Sequence, residues 1–204
     1  RVGVHVFDLA FTKDGLEKAC EFLAGVVKDG GKVLFVGTKR QAKEMVTEAA
    51  KSVGMPYVTE RWLGGMLTNF AMATKSLLRL KSLKEQKERG ELKKYTKKEQ
   101  LLLDREIAKL ERFFGGISDL SKMPEAMFVV DTHKEDVAVR EAHIMGVPVV
   151  GMVDTNGNPG MVDYVIPTND DAVKAIELVV NEITEAIKGK GPTSPKATKG
   201  KQNE

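Results

Sequence analysis

Lys32-Val33-Leu34-Phe35-Val36-Gly37-Thr38-Lys39-Arg40-Gln41-Ala42 begins with four large apolar residues in succession behind one lysine and then turns at a glycine into a polar, cationic stretch. An unbroken apolar run bounded by Gly30-Gly31 on one side and Gly37 on the other reads as a strand buried on both faces, the kind that parallel sheets use. Over residues 38–53, Ala42, Met45, Val46 and Ala49 recur at spacings of three and four, which predicts a helix with those residues inward. A buried strand handing over to a helix is half of a βαβ unit.

The same rhythm extends in both directions. Upstream, Val2, Val4, Val6 and Leu9 read as a short strand ending at Asp8; Thr12-Lys13-Asp14 then opens a helical pattern through Leu16, Cys20, Leu23 and Val27. Residue 1 is Arg and the first residues read as mid-strand, so the natural chain is expected to begin further upstream. Downstream, Tyr57-Val58-Thr59 is a short extended piece, 127–131 a strand, 135–145 a helix, 147–153 a strand and Tyr164-Val165-Ile166 a last short strand. Residues 170–187 predict the final helix, with Val173, Ile176, Val180, Ile183 and Ile187 inward. The expected fold class is α/β, a flavodoxin-like or Rossmann-like doubly wound, mainly parallel sheet.

Between these halves lies a long polar stretch with two apolar seams, Phe70, Ala73, Leu77 and Leu80, then Leu103, Ile107, Leu110 and Phe114. Two narrow seams broken near Gly90 predict an antiparallel helical hairpin of coiled-coil type, each arm covering the other. The expected organisation is one discontinuous α/β domain (1–68 and 115–188), a hairpin insertion (69–114) and a flexible basic tail (189–204) rich in Gly, Pro, Ser, Thr and Lys.

Charge follows the same division. Residues 75–112 hold 13 Lys/Arg against 7 Asp/Glu and residues 188–204 hold 5 against 1, whereas the whole chain carries only +3. The body is therefore acidic and the two extensions basic, which favours local phosphate contacts. A solvated helix laced with ion pairs is an equal alternative for the middle segment. No apolar run is long enough to span a bilayer, so no membrane partner is expected. A lone cysteine, Cys20, on the inward side of a helical pattern, excludes a disulfide framework and fits a reducing cytoplasm.

Three sets of residues are candidates for function. Lys39 and Arg40 stand where a strand yields to a helix, the place at which open parallel sheets bind anions. No G-x-G-x-x-G or P-loop pattern accompanies them, and a structural turn with two solvated cations competes with an RNA phosphate site. Arg61-Trp62-Leu63-Gly64-Gly65 joins an arginine to the only tryptophan; stacking on RNA and simple burial against the hairpin root are equal readings. Asp131, Asp154, Asp170 and Asp171 end strands or open the last helix, so Asp154, Asp170 and Asp171 are candidate ligands for a structural divalent cation, with helix capping and turn formation the more common use of such acids. No other cofactor is expected. His5, His133 and His143 lack ligand spacing and no serine sits in a nucleophile elbow, so catalysis has no candidate.

The strings Gly3-Val4-His5-Val6-Phe7-Asp8-Leu9, Leu34-Phe35-Val36-Gly37-Thr38-Lys39-Arg40, Arg61-Trp62-Leu63-Gly64-Gly65-Met66-Leu67-Thr68-Asn69, Val153-Asp154-Thr155-Asn156 and Ile166-Pro167-Thr168-Asn169-Asp170-Asp171-Ala172, in this order, resemble the family of the second protein of the bacterial small ribosomal subunit. The resemblance covers nearly the whole chain. It implies a non-enzymatic structural protein seated on small-subunit ribosomal RNA near the junction of head and body. It further implies a role in docking the messenger-binding first protein, and neighbours among the other small-subunit proteins. Residence in the ribosomes of a bacterial cytoplasm, or of an organelle, follows. Under this resemblance Lys39, Arg40, Arg61 and Trp62 become RNA-facing residues, and Lys75, Arg79, Lys81 and Lys84 hairpin cations that meet phosphate or a neighbouring protein. Two departures stand out: the family's G-V-H-x-G-H segment is absent here, and Gly157-Asn158-Pro159-Gly160 differs from its usual turn. The competing hypotheses are a small sugar-phosphate or nucleotide-binding enzyme using Gly37-Thr38-Lys39 and Asp131, and a protein adaptor whose hairpin binds another helical bundle.

Overall fold

The computed structural model describes residues 7–189. The expected strand over Val2 to Val6, His5 and the basic tail beyond Gly189 lie outside them.

The apolar runs assemble into a five-stranded sheet, β1 (Val33–Val36), β2 (Tyr57–Val58), β3 (Ala126–Val129), β4 (Val149–Val153) and β5 (Tyr164–Pro167), in the order β2-β1-β3-β4-β5 with every pairing parallel. This order, with helices on both faces, is the doubly wound, flavodoxin-like arrangement, and its strand order reverses between β1 and β3. Alternate residues of each strand serve opposite faces. Val33, Phe35, Phe128, Val150, Met152 and Ile166 pack on one side beneath α1 (Leu9–Lys28), α2 (Lys43–Ser52) and α6 (Val173–Ile187), together with buried Cys20. Leu34, Val36, Met127, Val129, Val149 and Val153 pack on the other, beneath α5 (Asp136–Met145) and the start of α3 (Phe70–Glu88). Burial pushes the Cys20 thiol up to about 11, which keeps it an inert core residue.

Two glycines mark close approach of backbone to backbone. A Cβ on Gly15 of α1 would lie 2.4 Å from the Val165 carbonyl oxygen, and one on Gly116 would lie 2.2 Å from that of Tyr57. Helix α1 therefore rests directly on β5.

Helix α3 is followed by the 3-10 turn Glu91–Lys94 and by α4 (Lys97–Phe114), which begins at a Thr96–Glu99 capping box. Ala73, Leu77, Leu80, Leu83 and Phe114 are buried, and Leu103, Ile107 and Leu110 half-buried. Arg79–Glu106, Lys84–Glu111 and Lys87–Asp104 ion pairs link the two helices.

Several boundaries differ from the sequence expectation. Leu9 does not end a strand; Asp8 accepts a hydrogen bond from Ala10 N and starts α1 there. Helix α2 begins at Lys43 rather than Thr38, and α6 at Val173 rather than Asp170, leaving Val173 exposed at 51%. The late starts have a common cause, since the residues left out of both helices are drawn into one cluster described next.

Candidate nucleic-acid interface

Because β1 and β3 are neighbours, their C-terminal ends bring residues 37–40 against residues 131–135, at the point where the strand order reverses. Lys39 turns inward there. Its Nζ donates to Asp131 Oδ2 at 3.0 Å and Asp170 Oδ1 at 2.6 Å, and pairs with Asp171 Oδ1 at 2.6 Å. The lysine side chain is only 11% exposed. Burial alone would lower the Lys39 pKa, but the hydrogen bonds to Asp170, Asp171 and Asp131 outweigh it and drive the group upward. Burial pushes the Asp170 carboxyl up while Lys39 pulls it down, and repulsion from Asp131 adds to the rise, because three carboxylates share one ammonium. Asp131 holds a left-handed backbone at φ +66° and accepts from Lys134 N, while Thr38 donates both its N–H and its hydroxyl to Glu135 Oε1. Burial holds the Glu135 carboxyl above its ordinary range despite these bonds.

This alters the reading of two candidate sets. Lys39 is engaged by the body of the protein, whereas the adjacent Arg40 is exposed and makes no ion pair among the described residues. Of the carboxylates proposed for a cation, Asp170 and Asp171 surround the Lys39 ammonium, and Asp154 accepts from the N–H groups of Asp170 and Thr155. Among the described residues no group of three or more His, Cys, Asp or Glu side chains is arranged to hold a metal.

The loop 61–69 is built around a carboxylate that sequence reasoning did not single out. Glu141 of α5 is 6% exposed. Its Oε1 accepts from Trp62 Nε1 at 3.2 Å and Gly65 N at 2.7 Å, and its Oε2 from Leu67 N, Thr68 N and Thr68 Oγ1, each at 3.0 Å. Burial would raise the Glu141 pKa, yet bonds from Thr68, Gly65, Trp62 and Leu67 hold it below the usual carboxylate range. Trp62 is therefore a buried anchor, the packing alternative of the two readings, and only Arg61 of this pair faces solvent. The available signal was a glutamate set among Ala138, Val139 and Ala142 on the inward stripe of α5.

On α3, at 100° per residue, Lys75 and Arg79 share one face, and Lys81 and Lys84 lie on the opposite one. Arg79 and Lys84 are engaged by Glu106 and Glu111. Lys75 and Lys81 are exposed without an ion pair among the described residues. The candidate cations that are exposed and make no ion pair among the described residues are thus Arg40, Arg61, Lys75 and Lys81.

A family model described as Ribosomal protein S2 matches residues 1–189. Similar proteins include small ribosomal subunit protein uS2 of Roseiflexus sp. (strain RS-1), 52% identical over 186 residues that cover 91% of this chain and 71% of that protein. The protein of the same name from Porphyromonas gingivalis (strain ATCC 33277) is 49% identical over 187 residues, 92% of this chain and 66% of its own length. That of Mycobacteroides abscessus is 50% identical over 187 residues, 92% and 68%. The chain thus spans about two thirds of the length of the curated relatives it matches.

Proposed function

The chain belongs to the ribosomal protein S2 family, whose members are structural rather than enzymatic, and from that premise we propose that it is a component of the small ribosomal subunit that grips ribosomal RNA. It sits near the junction of head and body in a bacterial-type ribosome and helps the messenger-binding first protein to dock. Its role in translation is architectural.

The observation that carries this reading is the contrast between Lys39 and its neighbours. In a sheet of this order a small ligand would enter at the reversal point between β1 and β3. Here that space holds the Lys39 ammonium among Asp131, Asp170 and Asp171, so the cation a sugar phosphate would need there is already engaged by the protein's own carboxylates. Arg40 and Arg61 project from the acidic body, and Lys75 and Lys81 from α3, with no ion pair among the described residues, which suits groups that contact phosphate. Shape and backbone charge, not base sequence, then govern recognition.

The test is uptake of the protein into small subunits depleted of their own copy, measured from about 50 to about 200 mM salt. Affinity falls steeply over that range, and Arg40→Glu and Arg61→Glu each weaken uptake and flatten the logarithmic salt slope by about 1. Uptake indifferent to salt and to both reversals would favour a protein adaptor instead.

A further inference from the structure

The two loops that carry Arg40 and Arg61 are both fastened to one helix by a buried glutamate. Glu135, 4% exposed at the start of α5, takes the N–H and hydroxyl of Thr38, two residues before Arg40. Glu141, two turns further along and 6% exposed, takes five donors from the loop that begins at Arg61, including the indole N–H of the very next residue. Neither glutamate reaches solvent, so neither touches RNA.

From this arrangement we infer that Glu135 and Glu141 are positioning residues for RNA binding, and that α5 acts as a bar that sets where Arg40 and Arg61 stand relative to one another. The inference rests on the RNA-interface reading above and adds the means by which it is held in shape.

The physical ground is convergence. Three backbone N–H groups of residues 65–68 point at one carboxylate, which makes a concave anion nest whose anion is part of the protein. Each of those donors would lose its partner if the carboxylate were removed, and the loop would move to hydrate them. Trp62 is pinned at its indole nitrogen and packs with Val58, Leu67 and Ile117 in the core on that face of the sheet, so Arg61 leaves the surface from a fixed point. At the other end, Asp131 adopts a left-handed backbone and its carbonyl accepts from Glu135 N, fixing where α5 starts against β3. A phosphate contact made by a long, flexible arginine gains affinity when the backbone that launches it is already ordered. RNA presents phosphates at fixed spacings, so two launch points tied to one helix match it better than two independent loops.

A double-substitution experiment on the full chain tests this, with uptake into depleted small subunits as the readout. Arg61→Ala alone weakens uptake about tenfold. In a Glu141→Gln background the same change costs less than about twofold, because the loop no longer presents Arg61, while Arg40→Ala keeps its full effect. Conversely, Glu135→Ala abolishes the dependence on Arg40 and spares that on Arg61. Trp62 is the only tryptophan, so its emission reports the loop directly and shifts red in Glu141→Gln but not in Glu135→Ala. Glu141→Asp, which keeps the charge but not the reach, gives an intermediate result and serves if the glutamine variant fails to fold. If Arg61→Ala costs as much in Glu141→Gln as in the parent although the emission has shifted, the positioning role is overturned while the interface stands. Arginine substitutions without effect in the parent would overturn the interface and this inference with it.

Discussion

Lys39 Nζ lies 2.6 Å from Asp170 Oδ1, joining the end of the first strand to the segment before the last helix across 131 residues of sequence. The pair is nearly dry, with the lysine side chain 11% and the aspartate 4% exposed. Removing one partner from such a pair leaves a charge that cannot rehydrate. Lys39→Met is expected to destabilise the fold by about 3–5 kcal/mol, because Asp131 and Asp170 lose their common cation. Urea denaturation at neutral pH measures it, and a loss below about 1 kcal/mol would show that the cluster does not hold the sheet edge together.

The exposed pairs between α3 and α4 provide the contrast. Arg79 and Glu106 are 50% and 40% exposed in their side chains, so water screens them and either side chain can relax alone. Arg79→Ala is expected to change stability by less than about 1 kcal/mol in the same denaturation experiment. A larger loss would mean that the α3–α4 contact depends on this pair more than on its buried leucines.

What could be read from sequence was whatever local periodicity determines. The Val33–Val36 run, the inward face of α2 and the parallel sheet follow from short-range patterns, and the structure contains them. The start of α2 did not, because Lys39 is captured by Asp131 and Asp170, 92 and 131 residues away, and a helix beginning at Thr38 would break that capture. Val173 stands exposed as the first residue of α6, and Asp170 and Asp171, expected within that helix, lie outside it in ion pairs with Lys39. Trp62 was balanced between burial and RNA stacking because the group that decides it, Glu141, lies 79 residues away. Glu135 and Glu141 carried no motif at all; only their placement on an otherwise apolar helix face set them apart.

The contact of α1 with β5 sets two effects of known size against each other. Alanine is the better helix former by about 1 kcal/mol, so Gly15→Ala would stabilise an isolated α1. In the folded protein the new Cβ would stand 2.4 Å from the Val165 carbonyl oxygen and 3.3 Å from Pro167 Cδ, and backbone cannot yield as a side-chain tip can. Overpacking of this kind costs about 1–3 kcal/mol, which exceeds the propensity gain. Gly15→Ala is expected to lower the thermal midpoint, whereas Gly25→Ala, with nothing within 4 Å of its Cβ on the same helix, should raise it. Equal shifts for both would remove the case for direct backbone packing.

Acid titration separates the two buried glutamates, since their folded-state pKa values move in opposite directions. Glu141 is held below its ordinary range, so its unfolded form binds protons that its folded form refuses. Its contribution to stability is complete above the unfolded value of about 4.3 and is lost as pH falls from there towards the folded value. Glu135 is held above its ordinary range by burial, so the folded form keeps its proton longer, and stability falls as pH rises from about 4.3 through the folded value. Glu141→Gln is therefore expected to cost most at neutral pH, by about 2–3 kcal/mol, and progressively less towards pH 3.5. Glu135→Gln keeps an oxygen for Thr38 but carries no charge, so it should match the parent in acid and equal or exceed its stability at pH 8. Urea midpoints for the three proteins between pH 3.5 and 8 test both signs together. Parallel curves for parent and Glu141→Gln down to pH 3.5 would mean that its carboxylate is not stabilised by the five donors around it, and a Glu135→Gln protein that weakens as pH rises would reverse the assignment at the other end of α5.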